Sequence, residues 1–446
     1  MPVSVVDSLL FRDMFGTDAM RAVFDERTTL QRYLDVEAAL ARAQGKLGII
    51  PEAAAKEIDV KARVEHLDMA AVAKETALVG YPIIAVVHGL GKACDDGLGE
   101  YAHWGATTQD IMDTGVVLQI RDGLNLIEQE LETLAGHLRH LAETYRDSPM
   151  AGRTHLQHAL PTTFGLKAAV WLAPILRMQD RLKELRPRVE VGQFAGAAGT
   201  LASLGDDGLK VSDALMDELC LGRPAAPWHV ARDGVAETGC FLALVTGALS
   251  KIAADVMLMM TTEVGEAFEP FQPGRGASST MPQKRNPISC EIIRGCARMV
   301  RQHSGALLDA MEADFERATG PWHVEWAALP EAFVFTSGAL AQANFMLAGL
   351  EVNTTRMRQN LDVSQGLIMA EAVMMGLAPT LGRQTAHDIV YDACRKAIAD
   401  GTHLREALLA DAPIAEKLAA TEVDALLAPE NYLGAAREMV GRVLTP

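Results

Sequence analysis

Residues 332–350 read AFVFTSGALAQANFMLAGL and carry no charged side chain along their whole length. The segment is about as long as a helix that crosses a bilayer. It nevertheless contains the polar residues Thr336, Gln342 and Asn344, together with several glycines and alanines. Small residues allow neighbouring helices to approach closely, and a helix that is apolar on all sides is typical of a protein interior. We therefore predict a buried central helix rather than a membrane span.

Apolar residues recur with a helical period along most of the chain, and we found no convincing series of strands and hairpins. In LQRYLDVEAALARAQGKLGI, which begins at Leu30, the residues Leu30, Tyr33 and Leu34 share one face. Long patterns of the same kind cover 114–145, 162–186, 235–263, 289–313 and 330–350. Helices of this length are typical of a bundle. The predicted fold is all-α, with an N-terminal helical domain (1–112), a central long-helix bundle (113–352) and a small C-terminal helical domain (353–446).

The composition is that of an ordinary globular protein, with 446 residues, 49% hydrophobic content and a formal net charge of -17. This acidic balance argues against nucleic acid as a partner, because phosphate binding needs a concentrated basic face. The N-terminus lacks the basic and apolar regions of a signal peptide. The six cysteines form no CxxC pair, which fits a reducing compartment. We expect a cytoplasmic protein.

Three polar loops interrupt the apolar helical patterns. The first loop is residues 103–110 (HWGATTQD), the second is residues 152–163 (GRTHLQHALPTT), and the third is residues 276–287 (GASSTMPQKRNP). Polar loops between strongly apolar helices are where binding and catalytic residues concentrate. The sequence therefore predicts a site built from these loops.

The third loop combines two hydroxyls, a cation and an amide within a short glycine-led segment. Ser278 could remove a proton from a substrate carbon while Lys284 and Asn286 hold a carboxylate. The competing interpretation is a simple helix entrance, in which Ser278 and Ser279 cap the helix and Lys284 is solvated.

The third loop resembles the signature loop of the fumarase/aspartase superfamily, G-S-S-x-M-P-x-K-x-N-P, and departs from it at Ala277. A pattern of this length is specific. The resemblance implies that Ser278 is the base that takes the proton from the substrate β-carbon and that Ser279 contacts substrate. It also implies that Lys284 and Asn286 bind the carboxylate and stabilise its aci form.

The second loop contains two histidines, but no cysteine set or carboxylate cluster completes a metal site, so we predict neither a metal nor another cofactor. The segment resembles the second conserved region of the superfamily. That resemblance implies substrate binding by Thr154 and proton transfer to the leaving group by His155, with Glu291 paired to this histidine. His158 either contacts substrate or faces solvent, and we retain it as a binding candidate.

The first loop offers hydroxyl and amide donors suited to a second carboxylate. By its resemblance to the first conserved region of the superfamily, Thr107, Thr108 and Gln109 are predicted to bind substrate. A helix N-terminus with Thr108 or Asp110 as its cap is the simpler interpretation, and the two interpretations are compatible.

The resemblance covers nearly the whole chain and is greatest to bacterial 3-carboxy-cis,cis-muconate cycloisomerases. It includes residues 227–237, 320–331 and 360–374. It implies reversible addition or elimination at a di- or tricarboxylate through an aci-carboxylate carbanion. His155 keeps a second hypothesis open, because C–N lyases of the superfamily have histidine there and release fumarate from an N-substituted aspartate. A catalytically inactive structural homologue is a third.

Assembly is also implied by the resemblance, namely a homotetramer whose core is the central bundle and whose sites take loops from three subunits. The uncharged segment 332–350 fits such a core, because a long apolar helix in a monomer would expose part of its surface. Arg153, Arg232 and Arg285 are candidates for recognising the distal part of the substrate.

Overall fold

The computed structural model describes residues 4–317 and 319–445, and the chain is almost entirely helical there. The helices are α1 Arg12–Phe15, α2 Asp18–Phe24, α3 Glu26–Lys46, α4 Glu52–Lys61, α5 Met69–Val79, α6 Ile83–Ala93, α7 Thr108–Thr144, α8 Phe164–Val189, α9 Gly208–Leu219, α10 Asp233–Met259, α11 Ile288–Asp309, α12 Pro321–Ala348, α13 Thr354–Asp362, α14 Ala370–Leu381, α15 Arg383–Asp400, α16 Leu404–Ala410, α17 Ala412–Ala415, α18 Ala420–Leu427 and α19 Ala436–Leu444. The strands are β1 Pro149–Thr154, β2 Gln157–Thr163, β3 Ala267–Phe268 and β4 Glu351–Val352. The all-α prediction is confirmed.

Contacts within the chain group its described residues into two compact units. Unit 1 draws on 1–132, 178–250 and 292–342, and unit 2 draws on 133–177, 251–291 and 343–446. The predicted boundaries at 112/113 and 352/353 follow the order of the chain and are not tested by this grouping. The three-domain division therefore stays a prediction.

Helix α3 illustrates how the sequence forms unit 1. The Asp25 carboxylate accepts a 2.8 Å hydrogen bond from the backbone N–H of Thr28 and caps the helix start. Its apolar face, which includes Leu30, Tyr33 and Leu34, is buried as the periodicity predicted. This face belongs to a core that α4, α6, α9 and the first turns of α7 complete. The first loop leads into that same α7.

The first half of the uncharged segment is buried within a single chain. Residues 332–340 of α12 are all buried, and a Cβ at Gly338 would lie 2.4 Å from the carbonyl carbon of Phe15 in the same unit. The predicted buried helix is confirmed. The N-terminal segment covers this first part of the helix, whereas Ala348 and Gly349 are exposed, so cover by another subunit stays a prediction for the rest of the segment.

Helix α10, rather than α12, leaves apolar surface uncovered. Leu244 and Leu258 are each 50% exposed. Among the described residues, α10 is the single helix long and apolar enough to cross a membrane, and 44% of its most apolar 18-residue stretch is buried. Two shorter helical segments within 354–381, bent by 84° where they meet, are long and apolar enough only if they are counted together as one span. An apolar helix that is partly covered in one chain is the expected state of a helix that packs against another subunit.

Strands β1 and β2 form a hairpin that the sequence analysis missed. They pair antiparallel from Pro149↔Thr163 to Thr154↔Gln157, which leaves His155 and Leu156 as the two-residue turn. Both turn residues have positive φ, +52° and +63°. This conformation usually calls for glycine or asparagine, and neither is present, so the turn carried no sequence signal.

In unit 2, a separate small core lies at the C-terminal end of the chain. It is built from α14, α15, α16 and α18, with Val373, Val390 and Leu408 among its buried residues. The predicted short C-terminal helices therefore form a core of their own within this unit.

Candidate active site

The three predicted loops are divided between the units. The first loop lies in unit 1, and the second and third loops lie in unit 2. The first loop leads into α7, the second loop lies within the β1–β2 hairpin, and the third loop leads into α11.

The third loop is closed at its neck by backbone contacts. Ala277 bridges Arg285, and the N–H of Asn286 donates to the Gly276 carbonyl at 3.0 Å. Gly276 has φ +66°, and a Cβ there would lie 2.6 Å from the Asn286 carbonyl oxygen. Glycine is therefore required at 276, one residue before the place where Ala277 departs from the superfamily pattern.

Ser278 lies inside this loop with its hydroxyl oxygen turned toward backbone donors. Its Oγ accepts hydrogen bonds from the N–H groups of Thr280 and Met281, at 3.3 and 3.1 Å. Hydrogen bonds to the charged form of a group favour that form. The loop therefore supplies part of the stabilisation that a serine alkoxide needs.

Lys284 provides a cation in the same loop. Its side chain is exposed and, in the part of the chain that the structure describes, makes no ion pair. Asn286 is half-buried beside the closed neck, and Ser279 is exposed. Lys284 and Asn286, the predicted carboxylate-binding residues, thus lie in one loop, and the ammonium group of Lys284 gives that loop a positive charge.

The second loop presents its predicted residues at the hairpin tip. Thr154 and His155 are exposed, whereas His158, on β2, is half-buried. Burial, together with the nearby Arg153 guanidinium, lowers the pKa of His158. At neutral pH this imidazole is neutral and can accept a hydrogen bond from substrate.

The predicted pair between His155 and Glu291 does not form within one chain. Both side chains are exposed, and across residues 4–317 and 319–445 no hydrogen bond or ion pair joins them. Glu291 lies in the first turn of α11, where a carboxylate interacts favourably with the helix dipole.

The first loop is braced by the buried Asp110 carboxylate. It accepts hydrogen bonds from the backbone N–H groups of Thr107, Ala195 and Gly196 at 2.9–3.0 Å, and lies 2.8 Å from Nε2 of His229. Asp110 is therefore a structural cap, as the simpler interpretation proposed. Thr107 is half-buried, and substrate binding by Thr107 stays a prediction.

Gln109 is fully buried, and its Nε2 donates to Asp113 and to the His229 carbonyl. It braces the start of α7, and substrate binding by Gln109 stays a prediction. Thr108 is half-buried and is the first residue of α7.

Comparison with known proteins now identifies the family. A family described as Lyase matches residues 14–301, and one described as Adenylosuccinate lyase C-terminus matches residues 366–443. The chain belongs to the lyase family. Its wider group is the fumarase/aspartase superfamily, and the chain is an enzyme of that superfamily.

Two curated relatives and one solved structure align with this lyase over most of their length. The 3-carboxy-cis,cis-muconate cycloisomerase of Pseudomonas aeruginosa is 46% identical over 98% of this chain and 95% of that protein. Trans-aconitate decarboxylase 1 of Mycosarcoma maydis is 51% identical over 97% of this chain and 88% of that protein. The crystal structure of 3-carboxy-cis,cis-muconate lactonizing enzyme from Pseudomonas putida has 44% identity and a TM-score of 0.93, covering 98% of each chain.

The three arginine candidates for distal recognition in this lyase are already paired. Arg153 donates to both oxygens of Glu266, and Arg285 donates to both oxygens of Glu351. Arg232 lies between the buried carboxylates of Asp113 and Glu325. None of the three has the free guanidinium that a substrate carboxylate would need.

Arg232 forms a buried triad in unit 1. It donates to both oxygens of Asp113, at 2.8 and 3.0 Å, and to both oxygens of Glu325, at 2.5 and 2.9 Å. The two carboxylates also line a cavity of about 320 Å³ with Tyr33 and Trp322. Because none of the predicted site residues lines this cavity, the triad is part of the framework beneath the first loop.

Sequence reasoning assigned no role to several polar residues that hold the first loop of the lyase. His103 has φ +60°, and its Nδ1 lies 2.6 Å from the buried Glu37 carboxylate. Burial opposes the charged form, but Glu37 and Asp110 outweigh it and raise the pKa of His103. Arg317 donates to the Thr107 hydroxyl at 2.9 Å. The sequence could have indicated His103, which belongs to the first loop. Glu37 and Arg317 belong to no motif of the sequence.

No group of three or more His, Cys, Asp or Glu side chains that could hold a metal ion occurs among the residues that the structure describes.

Proposed function

We propose that this lyase performs reversible addition and elimination on a polycarboxylate, as a cycloisomerase of the 3-carboxy-cis,cis-muconate type. The observation that carries the proposal is the third loop, where the Ser278 hydroxyl accepts hydrogen bonds from two backbone N–H groups. Lys284, in the same loop, forms no ion pair with any residue that the structure describes. The P. aeruginosa and P. putida relatives, named for this reaction, support the substrate class.

The chemistry can be followed atom by atom. One carboxylate oxygen of the muconate adds to a carbon of its own double bond and forms a C–O bond, while the π electrons move toward the neighbouring carbon. That carbon bears a carboxylate, which takes up the charge as an aci-carboxylate dianion. A proton from the Ser278 hydroxyl then completes the C–H bond. In the reverse direction Ser278 removes this proton.

The difficult step is the formation of the dianion, because a C–H group beside a carboxylate is a very weak acid. Lys284 and Asn286 are proposed to meet the carboxylate whose charge increases. Preorganised donors of this kind typically contribute about 10²–10³-fold to a rate. The N–H groups of Thr280 and Met281 play the same part for the Ser278 oxygen.

A matched pair of variants tests these roles. Ser278→Ala is expected to lower kcat by at least about 100-fold, since it removes the general acid and base. Ser279→Ala removes the adjacent hydroxyl, which is proposed to bind substrate, and is expected to act mainly on KM. If Ser278→Ala retained kcat within about threefold of wild type, the proton-transfer role would be wrong.

His155 favours a second candidate function, a C–N lyase that releases fumarate from an N-substituted aspartate. Its imidazole is exposed at the hairpin tip, where it can donate a proton to a departing amine. The same third loop would then remove the β-carbon proton.

One set of assays separates the candidates. Purified enzyme is followed by ultraviolet absorbance with 3-carboxy-cis,cis-muconate and, separately, with N-substituted aspartates and trans-aconitate. Loss of muconate absorbance without fumarate supports the cycloisomerase. Fumarate formed from an amino-acid adduct assigns the C–N lyase instead, and carbon dioxide released from trans-aconitate assigns the decarboxylase activity for which the M. maydis relative is named.

We further propose a cytoplasmic homotetramer whose active sites are shared between subunits. The exposed His155, Glu291 and Lys284, and the exposed leucines of α10, support an assembly in which other subunits meet these groups. The absence of a CxxC pair from the sequence supports the cytoplasmic part of the proposal.

Mixing two variants, each first shown to be inactive alone, tests the shared site. His155→Ala and Ser278→Ala chains are unfolded together in equal amounts and refolded, with light scattering to establish the tetramer. If each active site takes its His155 and its Ser278 from different subunits, random assortment gives roughly one active site in four with both residues intact. Activity near that fraction of wild type supports sharing. No recovered activity in a correctly assembled mixed tetramer shows that both residues come from one chain.

A further inference from the structure

Two buried glutamates flank the short strand β3 in unit 2, and the proposed mechanism uses neither of them. Glu266 precedes the strand and is 0% exposed, and Glu269 follows it and is 4% exposed. The strand itself pairs with β4, from Ala267↔Val352 to Phe268↔Glu351. Buried carboxylates are costly unless they are fully hydrogen-bonded, so the partners of these two residues indicate what they do.

Glu266 holds the base of the hairpin. Its two oxygens accept from the Arg153 guanidinium at 2.7 and 2.9 Å, and Asn360 donates to it at 2.7 Å. Arg153 is separated from His155 only by Thr154. The paired guanidinium therefore fixes the strand that ends in the positive-φ turn carrying His155.

Glu269 holds the end of the third loop. Its carboxylate accepts from the backbone N–H groups of Ser289, at 3.1 Å, and Cys290, at 2.9 Å. These N–H groups belong to the first turn of α11, where the helix provides no acceptor of its own. The helix that follows the third loop is thus capped by a carboxylate from a distant part of the chain.

Arg285 strengthens the same connection from within the third loop. It donates to the Glu269 carbonyl at 2.6 Å and to both oxygens of Glu351, on β4, at 3.0 Å. The loop containing Ser278 is therefore tied to both strands of the β3–β4 pair.

We propose that Glu266 and Glu269 are positioning residues, which hold the second and third loops from the two ends of one strand. Glu266 acts on His155 through Arg153, and Glu269 acts on the loop of Ser278 through the start of α11. For its catalytic consequence this inference rests on the proposed function, with Ser278 as the proton-transfer residue and His155 in the role that the C–N lyase candidate gives it. Its structural part is independent of that function.

The isosteric variants Glu266→Gln and Glu269→Gln form a matched pair, since the same charge is removed at positions three residues apart. Each is expected to lower kcat by roughly tenfold or more, with a smaller effect on KM, because residues in one network couple measurably. Each variant is combined with His155→Ala and with Ser278→Ala, and residual rates are measured.

Coupling is expected to follow the contacts. In the His155→Ala background, Glu266→Gln should lose most of its effect, while Glu269→Gln should keep its full effect. In the Ser278→Ala background the pattern should reverse. If each glutamine variant lowers kcat by the same factor in both alanine backgrounds as in the wild type, the glutamates do not act through separate loops and the proposal is wrong.

Amide hydrogen exchange supplies a readout that needs no activity. Glu266→Gln should speed exchange in residues 149–163 and leave residues 288–296 unchanged, and Glu269→Gln should do the opposite. Arg153→Lys keeps the charge but loses the two-pronged geometry, so it should reproduce the Glu266→Gln pattern. Uniformly faster exchange throughout unit 2 would overturn the proposal. Inactivity of the wild type on every substrate would instead refute the proposed function and leave this exchange test valid.

Discussion

Replacing Arg232 with methionine should destabilise the protein strongly. The Arg232 side chain is 2% exposed, and its carboxylate partners Asp113 and Glu325 are 2% and 5% exposed. Removing one partner of a buried ion pair costs about 3–5 kcal/mol, because the remaining charge has no compensation. Here two carboxylates lose their shared partner at once, so we expect the free energy of unfolding to fall by at least the lower figure.

The loss should depend on pH in a defined direction. Burial already raises the pKa of Glu325, although Arg232 opposes this, and removal of Arg232 raises it further. A carboxyl group with a raised pKa in the folded state binds its proton more tightly there than in the unfolded chain. Stability therefore falls as the pH rises through the window between the two pKa values. The deficit of Arg232→Met should be largest at neutral pH and smaller in acid.

Urea unfolding at a fixed protein concentration, repeated from acid to neutral pH, measures both effects. Arg188→Met is the matched control, because Arg188 also binds both oxygens of its partner, Glu237, but its side chain is 55% exposed. Exposed pairs contribute little, so the control should be close to wild type at every pH. If Arg232→Met shifts the unfolding midpoint no more than the control, or shifts it equally at all pH values, the buried-triad reasoning fails.

Three further outcomes are expected. Gly276→Ala places a side chain at φ +66° and should reduce activity and stability, whereas Gly136→Ala, in an open position of α7, should raise stability by about 0.5–1 kcal/mol in thermal melts. Because the pKa of His103 is raised in the folded protein, its pair with Glu37 contributes its full stabilisation to the fold below the ordinary histidine pKa, and this contribution is lost as the pH rises through the pKa of the folded state. In Glu37→Gln, the pKa of His103 measured by NMR titration should move toward the ordinary value. Leu156→Gly should raise the thermal stability of dissociated chains by about 1 kcal/mol, since it relieves a left-handed backbone, and an unchanged melting temperature would contradict this.

The long helices could be predicted because their apolar periodicity extends over many turns. Residues 114–145 were predicted and Thr108–Thr144 is found, with Asp110 bracing the earlier start. The predicted start at Pro330 was late, because α12 begins at Pro321 and continues through this proline. Proline removes one N–H group from a helix, which is a local cost that buried apolar packing can exceed.

The candidate residues of the third loop could be named from sequence because they form a long specific motif. The groups that position them could not. Glu266 and Glu269 are isolated acidic residues around a two-residue strand. Their partners Arg153 and Ser289 lie 113 and 20 residues away in the chain. Only the tertiary structure brings such groups together, so no spacing rule indicates them.

The hairpin tip connects the local structure with the proposed assembly. A left-handed backbone costs a residue other than glycine roughly 1–2 kcal/mol, and His155 and Leu156 both adopt it. Within the described chain the Leu156 side chain is 79% exposed, so its burial does not offset this cost. Covering a leucine completely contributes about 1.5–3 kcal/mol, which is of the same size. In the proposed tetramer, a neighbouring subunit that covers Leu156 would offset the cost of the left-handed turn. The pairing of His155 with Glu291 of another chain stays a prediction.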